Sequence, residues 1–280
     1  MNRILGEKLS ITSSKPQTTR YAIKGILNCD KHQIVFIDTP GFLKPRYEMQ
    51  KRMLKIWSDA FKEVDLIVFM TDIRHFPSDF DLEVLDILKS IKNPQIAVFN
   101  KIDQITERNP KLEPIDNYDQ KAMLSKLPSS IDETICISAL TGENVDKLLE
   151  TIEKYLPYHE PYYSQEDLSD LPMRFFAQET IRESIFRQFE EEIPYATAVL
   201  IEKYQELPQK VIIDAVIWIE RQSQKLIIIG KKGEKLSKIR EYAETELSRF
   251  LGLQVQIHLW VKINPKWRKK NSALKELGFG

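Results

Sequence analysis

Three short apolar runs, each stopping at a polar residue, constrain the fold of this 280-residue chain more than any other feature. They are LIVFMT at 66–71, QIAVFN at 95–100 and TICIS at 134–138. Runs without polar alternation suit strands buried on both faces of a parallel sheet. Between them, residues 79–91 place Phe80, Val84, Leu85, Ile87 and Leu88 on one helical stripe, and residues 144–156 do the same with Val145, Leu148, Leu149, Ile152 and Leu156. This alternation predicts an α/β domain with crossover helices. Ahead of it, residues 22–27 and Gln33–Asp38 read as strands joined by the turn Asn28-Cys29-Asp30. Residues 103–120 are polar and contain proline, which predicts a loop or a short irregular helix.

The second part of the chain has another order. Residues 174–191 are helical by pattern, and 196–204, 211–220 and 225–230 are strand-like. Residues 234–250 return to helical spacing, Gln254–Ile263 alternates as a strand, and 272–277 closes as a short helix. That predicts an α+β domain. Residues 157–172, rich in Pro, Ser and acidic side chains, read as the connection. The boundaries predicted are therefore 1–158, a linker at 159–171, and 172–280.

Charge separates the two parts. The chain as a whole balances 41 Lys+Arg against 41 Asp+Glu. Residues 1–170 hold 22 basic against 27 acidic side chains and residues 171–280 hold 19 against 14, with 14 against 5 over the last sixty. A basic end on a balanced protein suggests a polyanionic partner there, although a solvated basic face accounts for charge alone equally well. Two cysteines, Cys29 and Cys136, exclude a disulfide scaffold or Cys-based zinc cluster, and the four histidines (32, 75, 159, 258) show no metal-ligand spacing. No run approaches the ~18 apolar residues of a membrane span, and the first residues lack a signal-peptide core. A reducing cytoplasm is the expected compartment.

Three strand-end motifs carry chemistry in combination. Asp38-Thr39-Pro40-Gly41 follows QIVFI. Its carboxylate can hold Mg²⁺, usually through water, and the glycine lets a backbone N–H approach a terminal phosphate. Asn100-Lys101-Ile102-Asp103 ends the next-to-last run. Here the carboxylate can accept from N1–H and the N2 amine of guanine, a pairing adenine cannot make. Asn100 positions the loop and can contact the base, whose face the Lys101 stem covers. Ser138-Ala139-Leu140 ends the last run, where a backbone N–H can meet guanine O6. Alone, each string is an ordinary turn. In this order, at the carboxyl ends of parallel strands where open α/β sheets take nucleotides, they predict a guanine-nucleotide domain. Gln17-Thr18-Thr19-Arg20 supplies a threonine for Mg²⁺, with Thr18 and Thr19 both candidates. No two of the nine glycines stand five apart, so the phosphate-gripping G-x-x-x-x-G-K-[ST] string does not occur.

In the basic part, Gly230-Lys231-Lys232-Gly233 lies between an apolar run and a helix. A GxxG loop in that setting brings backbone close to a sugar-phosphate chain, with lysines to attract it and an adjacent groove for about four unpaired nucleotides. Tyr242, Trp260 and Trp267 are candidates either for base stacking or for core packing.

With these motifs, the chain resembles the Era family, bacterial GTPases with a C-terminal type II KH domain. Further carriers are LGEKLSITSSKPQTTR (5–20), DTPGF (38–42), RFFAQETIRESIF (174–186), Ile193-Pro194-Tyr195, IIIGKKGEKLSKI (227–239) and HLWVKINPKW (258–267). The resemblance implies a P-loop-type α/β GTPase domain followed by the KH domain, with Mg²⁺ and GTP or GDP as cofactor and ligand. It implies GTP hydrolysis and binding to the 3′ end of 16S rRNA during assembly of the 30S subunit. It further implies a monomer in the cytoplasm with peripheral association to the inner membrane. Thr19 and Asp38 would meet the metal, Asp38–Phe42 the phosphates, and residues 100–103 and 138–140 the base. Phe42 stands where many GTPases carry a glutamine, so other groups must place the attacking water. The chain departs from the family at its start: Met1–Leu5 aligns with the last turns of the first helix, so the nucleotide domain is expected to be truncated, without its first strand and P-loop, and poorly folded as a mature protein. The simpler expectation is a gene start assigned at an internal Met. A nucleotide-free RNA-binding KH protein is the alternative reading.

Overall fold

The computed structural model describes residues 1–13, 15–105 and 124–279. They fall into two compact units. One comprises residues 31–33 and 57–164; the other comprises 1–30, 34–56 and 165–280.

The smaller unit is built on a parallel sheet in the order β3 (Ile67–Asp72), β4 (Gln95–Asn100), β5 (Glu133–Cys136). The middle strand explains its own composition: Ile96, Ala97, Val98 and Phe99 are all fully buried, because strands flank β4 on both edges and side chains cover both faces. On one face Ala97 and Phe99 join Ile67, Phe69, Leu85 and Leu88. Leu85 and Leu88 come from the helix Asp79–Leu88, which starts at Ser78 in a capping box with Asp81: Ser78 Oγ accepts from Asp81 N, and the Asp81 carboxylate accepts from Ser78 N at 2.8 Å. The helix Val145–Glu153 buries Val145, Leu148, Thr151 and Ile152. On β3, Val68 and Met70 stand exposed opposite the buried Ile67 and Phe69. Most of the loop expected at 103–120 lies outside the described residues.

In the larger unit, β1 (Ile23–Asn28) pairs with β2 (Gln33–Asp38) as a two-stranded sheet. A second sheet has the order β6 (Ala198–Leu207), β7 (Lys210–Ile219), β8 (Gln254–Ile263), with β6 antiparallel and β8 parallel to β7. In chain order the helices of the whole protein are α1 (Asn2–Leu5), α2 (Glu48–Ala60), α3 (Asp79–Leu88), α4 (Val145–Glu153), α5 (Met173–Gln188), α6 (Ile193–Ala196), α7 (Gln222–Ile229), α8 (Glu234–Leu251) and α9 (Asn271–Glu276), among the described residues.

One face of the β6–β7–β8 sheet holds Ile201, Ile213, Ala215, Ile217 and Ile257 against Ile181 and Ile185 of α5 and Ile239, Ala243 and Leu247 of α8. Its other face seats Val216 and Trp218 against Trp267, Leu274 of α9 and Phe279, and also against Leu43 and two methionines of α2, Met49 and Met53. From residue 173 on, the element order is α5-α6-β6-β7-α7-α8-β8-α9, which differs from the sequence expectation at the short helix α6 and at one expected strand. Residues 225–230, read as a strand, belong to helix α7. The run LIII has strand-like β-branching, but Arg221 N and Glu220 N both donate to Gln224 Oε1, and Gly230 ends the helix at φ 72°. Local capping outweighs propensity in so short a run.

Candidate nucleotide and RNA sites

The base-side motifs lie together in the smaller unit. Parallel register places Asp72 beside Asn100 and Phe99 beside Cys136, so the loops that follow β4 and β5 leave the sheet at one end. Asn100 Oδ1 accepts from Lys101 N at 2.8 Å and from Ala139 N at 2.9 Å, fastening one loop to the other. Ser138 Oγ donates to Asp103 Oδ1 at 2.5 Å and accepts from Thr141 N. Ile102 is buried and its N–H donates to Ile137 O, which sets the height of Asp103. Lys101 takes a left-handed φ of 71°. Its ammonium lies 2.9 Å from Asp72 Oδ2, with the stem running back over the strand ends. Leu140 is 76 % exposed.

Sequence reasoning missed Asp72. Partial burial pushes its carboxyl up, but hydrogen bonds from Arg74 and Lys101 overcome this and hold it well below the usual carboxylate range. The same rule that picked out Asp38 and Asn100, a polar residue ending an apolar strand, would have found it.

The phosphate-side residues lie in the larger unit. Asp38 ends β2 and Thr39-Pro40-Gly41-Phe42 follow, with Pro40 buried and Gly41 exposed. Burial raises the Asp38 pKa; Ser10, the Met1 ammonium and Thr19 oppose this. Thr19 Oγ1 lies 3.5 Å from Asp38 Oδ2, whereas the Thr18 carbonyl accepts from Arg182. Gln17 has a left-handed φ of 58° and Arg20 is buried. Thr19 and Asp38 are both hard oxygen donors, the kind Mg²⁺ takes one or two at a time beside water and phosphate oxygens, so these residues fit that ion.

The Gly230–Gly233 loop joins α7 to α8. Gly230 (φ 72°) and Gly233 (φ 83°) both use backbone conformations that side chains disfavour, and a Cβ on Gly230 would lie 2.8 Å from Lys235 Cγ. Lys231 and Lys232 project into solvent. Immediately before the loop, Leu226 and Ile227 are 66 % and 40 % exposed, an apolar surface next to the lysines. Of the three aromatic candidates, Trp267 is fully buried and donates to Ala196 O, Tyr242 lies under Lys8 and Arg187, and Trp260 is half exposed.

Comparison with known proteins accords with this arrangement. Residues 1–101 match the family described as 50S ribosome-binding GTPase, and residues 192–268 match the KH domain. GTPase Era of Geobacter metallireducens is 42 % identical over 281 aligned positions, which span all of this chain and 92 % of that protein. The chain belongs to the Era family of GTPases. GTPase Era of Clostridioides difficile is 38 % identical over the same share. Among solved structures, Era in complex with MgGDPNP and nucleotides 1506–1542 of 16S ribosomal RNA matches with a TM-score of 0.90 at 36 % identity, covering all of this chain and 93 % of that one. A variant of Aquifex aeolicus Era bound to GDP·AlF4⁻ matches at 0.92 with the same identity and coverage. The fold is thus a P-loop-type GTPase domain followed by a KH domain, as the Era resemblance implied.

Proposed function

We propose that this chain binds and hydrolyses GTP and binds the 3′ end of 16S rRNA, assisting assembly of the 30S subunit. The observation that carries the reading is the bonded pair of loops at 100–103 and 138–140, present in the same chain as an exposed GKKG loop. Asp103 accepts from the guanine N1–H and N2 amine. Ser138 holds one of its oxygens, so the carboxylate is oriented before the base arrives. Asn100 locks the two loops together, and the Lys101 stem, drawn back by Asp72, covers a base face. Thr19 and Asp38 would hold Mg²⁺, which when bound would screen charge on the phosphates. Phe42 cannot polarise water, so intrinsic turnover is slow. On the RNA side, Lys231 and Lys232 meet phosphates while Leu226 and Ile227 floor a groove for unpaired bases.

The domain boundaries this reading uses are 1–158 and 172–280. No helix among the described residues is long and apolar enough to cross a membrane. The reading takes the protein as a cytoplasmic monomer with peripheral membrane association. The test is equilibrium binding by the 280-residue chain. A fluorescent guanosine nucleotide should bind and be displaced by GTP but not ATP, and an oligoribonucleotide of the 16S 3′ end should bind. RNA binding without nucleotide binding would leave a KH protein only, and loss of both would remove the reading.

A further inference from the structure

The segment that carries Thr19 is fastened along its length to residues of the RNA-binding part. Lys15 Nζ donates to Phe186 O at 2.6 Å and pairs with Glu190 at 3.0 Å. Pro16 O accepts from the Tyr195 hydroxyl at 3.2 Å. Thr18 O accepts from Arg182 Nη2 at 2.5 Å, and the same guanidinium pairs with Glu179 inside the fold. Arg20 goes deepest. It is 3 % exposed, with Nη1 donating to Thr197 O at 2.8 Å and Nη2 to Pro194 O at 3.1 Å and Tyr195 O at 3.4 Å. Its guanidinium centre lies 5.9 Å from the Trp267 ring.

Arg20 forms no ion pair with a carboxylate among the described residues; backbone carbonyls take that place. As a guanidinium it is a cation at neutral pH. A buried cation without a paired anion recovers its desolvation only through well-directed hydrogen bonds. A segment held only by such bonds can act as a two-position element when a competing ligand compensates for their loss. Thr19 is its chain neighbour, so their Cα atoms are fixed ~3.8 Å apart. Thr19 Oγ1 donates only a long hydrogen bond, 3.5 Å, to Asp38 Oδ2, a contact that an ion between the two oxygens would replace. A shift of Thr19 to meet one either breaks the Arg20 bonds or moves the corner at 194–197. That corner runs directly into β6, which pairs with β7, and β7 leads through α7 to the GKKG loop.

We propose that Arg20 is a positioning residue that ties the metal-binding threonine to the corner at 194–197 of the KH domain, so that nucleotide and RNA each sense the other through it. The proposal rests on the function given above. Lysine at position 20 keeps the charge but offers one ammonium where the guanidinium forks to three carbonyls.

The test compares wild type with Arg20→Lys. Affinity for the 16S 3′-end oligonucleotide is measured with and without Mg²⁺ and a non-hydrolysable GTP analogue, and nucleotide binding is read separately by fluorescence. The wild-type ratio of the two RNA affinities should be at least about fivefold from unity, the lower range of allosteric coupling. In Arg20→Lys it should fall close to unity while nucleotide-free RNA affinity holds; the melting temperature should drop with the lost hydrogen bonds but stay above the assay temperature. An undiminished ratio in Arg20→Lys overturns the proposal, as does a wild-type ratio of one with nucleotide bound. A wild-type ratio of one with no nucleotide bound overturns the functional reading and the proposal with it. If Arg20→Lys does not fold, Lys15→Met on the same segment takes its place: a reduced ratio supports the proposal and an unchanged one overturns it.

Discussion

At the scale of single residues, the proposed function makes base choice turn on Asp103. Replacing it with Asn presents an amide donor to the guanine N1–H or N2 amine. Affinity for GTP should fall by about 1–3 kcal/mol, roughly fivefold to 150-fold, from an unmatched buried polar group, and preference should move toward xanthosine triphosphate. Competition between the two nucleotides for the Asp103→Asn chain checks this. Asp72 governs the loop from the opposite side. Its folded pKa is depressed, so its stabilising share is complete above the unfolded value of about 3.9 and is lost as pH falls below it. In Asp72→Asn the stability–pH curve should flatten in that acid window, measured by urea unfolding at stepped pH, and Lys101 should lose its anchor at all pH values. Asp103 was legible from sequence because the NKID string sits at the end of an apolar strand. The long-range contacts of Arg20, Arg182 and Lys8 were not. Those partners lie 160 to 240 positions away, and no local period or spacing records such a contact.

At the scale of elements, the strands were read most securely. Gln33–Asp38, Gln95–Asn100 and Gln254–Ile263 fall where their burial patterns place them, β4 because it is covered on both faces and β8 because Val255, Ile257 and Val261 alternate with exposed residues. Helix α7 escaped because its apolar run is too short for periodicity to separate helix from strand, and the deciding Gln224 cap is a side-chain event. Its exposed Leu226 and Ile227, with the loop lysines, give the element proposed to face RNA its character. Lys231→Asp and Lys232→Asp together should weaken binding of the 16S 3′-end oligonucleotide by more than tenfold, as attraction becomes repulsion. The circular dichroism spectrum should stay unchanged, since both side chains project into solvent. Unchanged RNA affinity would mean the loop does not touch the phosphate chain.

At the scale of the whole molecule, zero net charge conceals a field. The acidic excess lies before residue 170 and the basic excess after it, so RNA sees a local charge far from the average. The logarithm of RNA affinity should therefore fall with the logarithm of salt concentration, with a slope of roughly −2 to −3 for three or four phosphates at about 0.7 each. A slope near zero across a salt titration would exclude phosphate contacts as the main attraction. The compact units also cut across the linear order: residues 1–30 and 34–56 group with 165–280, through Lys8 on Glu183 and Glu246, Arg20 on the 194–197 corner, and Leu43, Met49 and Met53 on the back of the KH sheet. A chain-order reading, cutting at the Pro-rich stretch near 160, cannot foresee this. The same cluster closes over Phe279, which is 2 % exposed and stacks on Tyr21 at 4.6 Å. An affinity tag or fluorescent reporter joined after Gly280 would begin two positions past a packed ring. Without a flexible spacer, such a fusion would pull that ring from its seat and report on a disturbed protein.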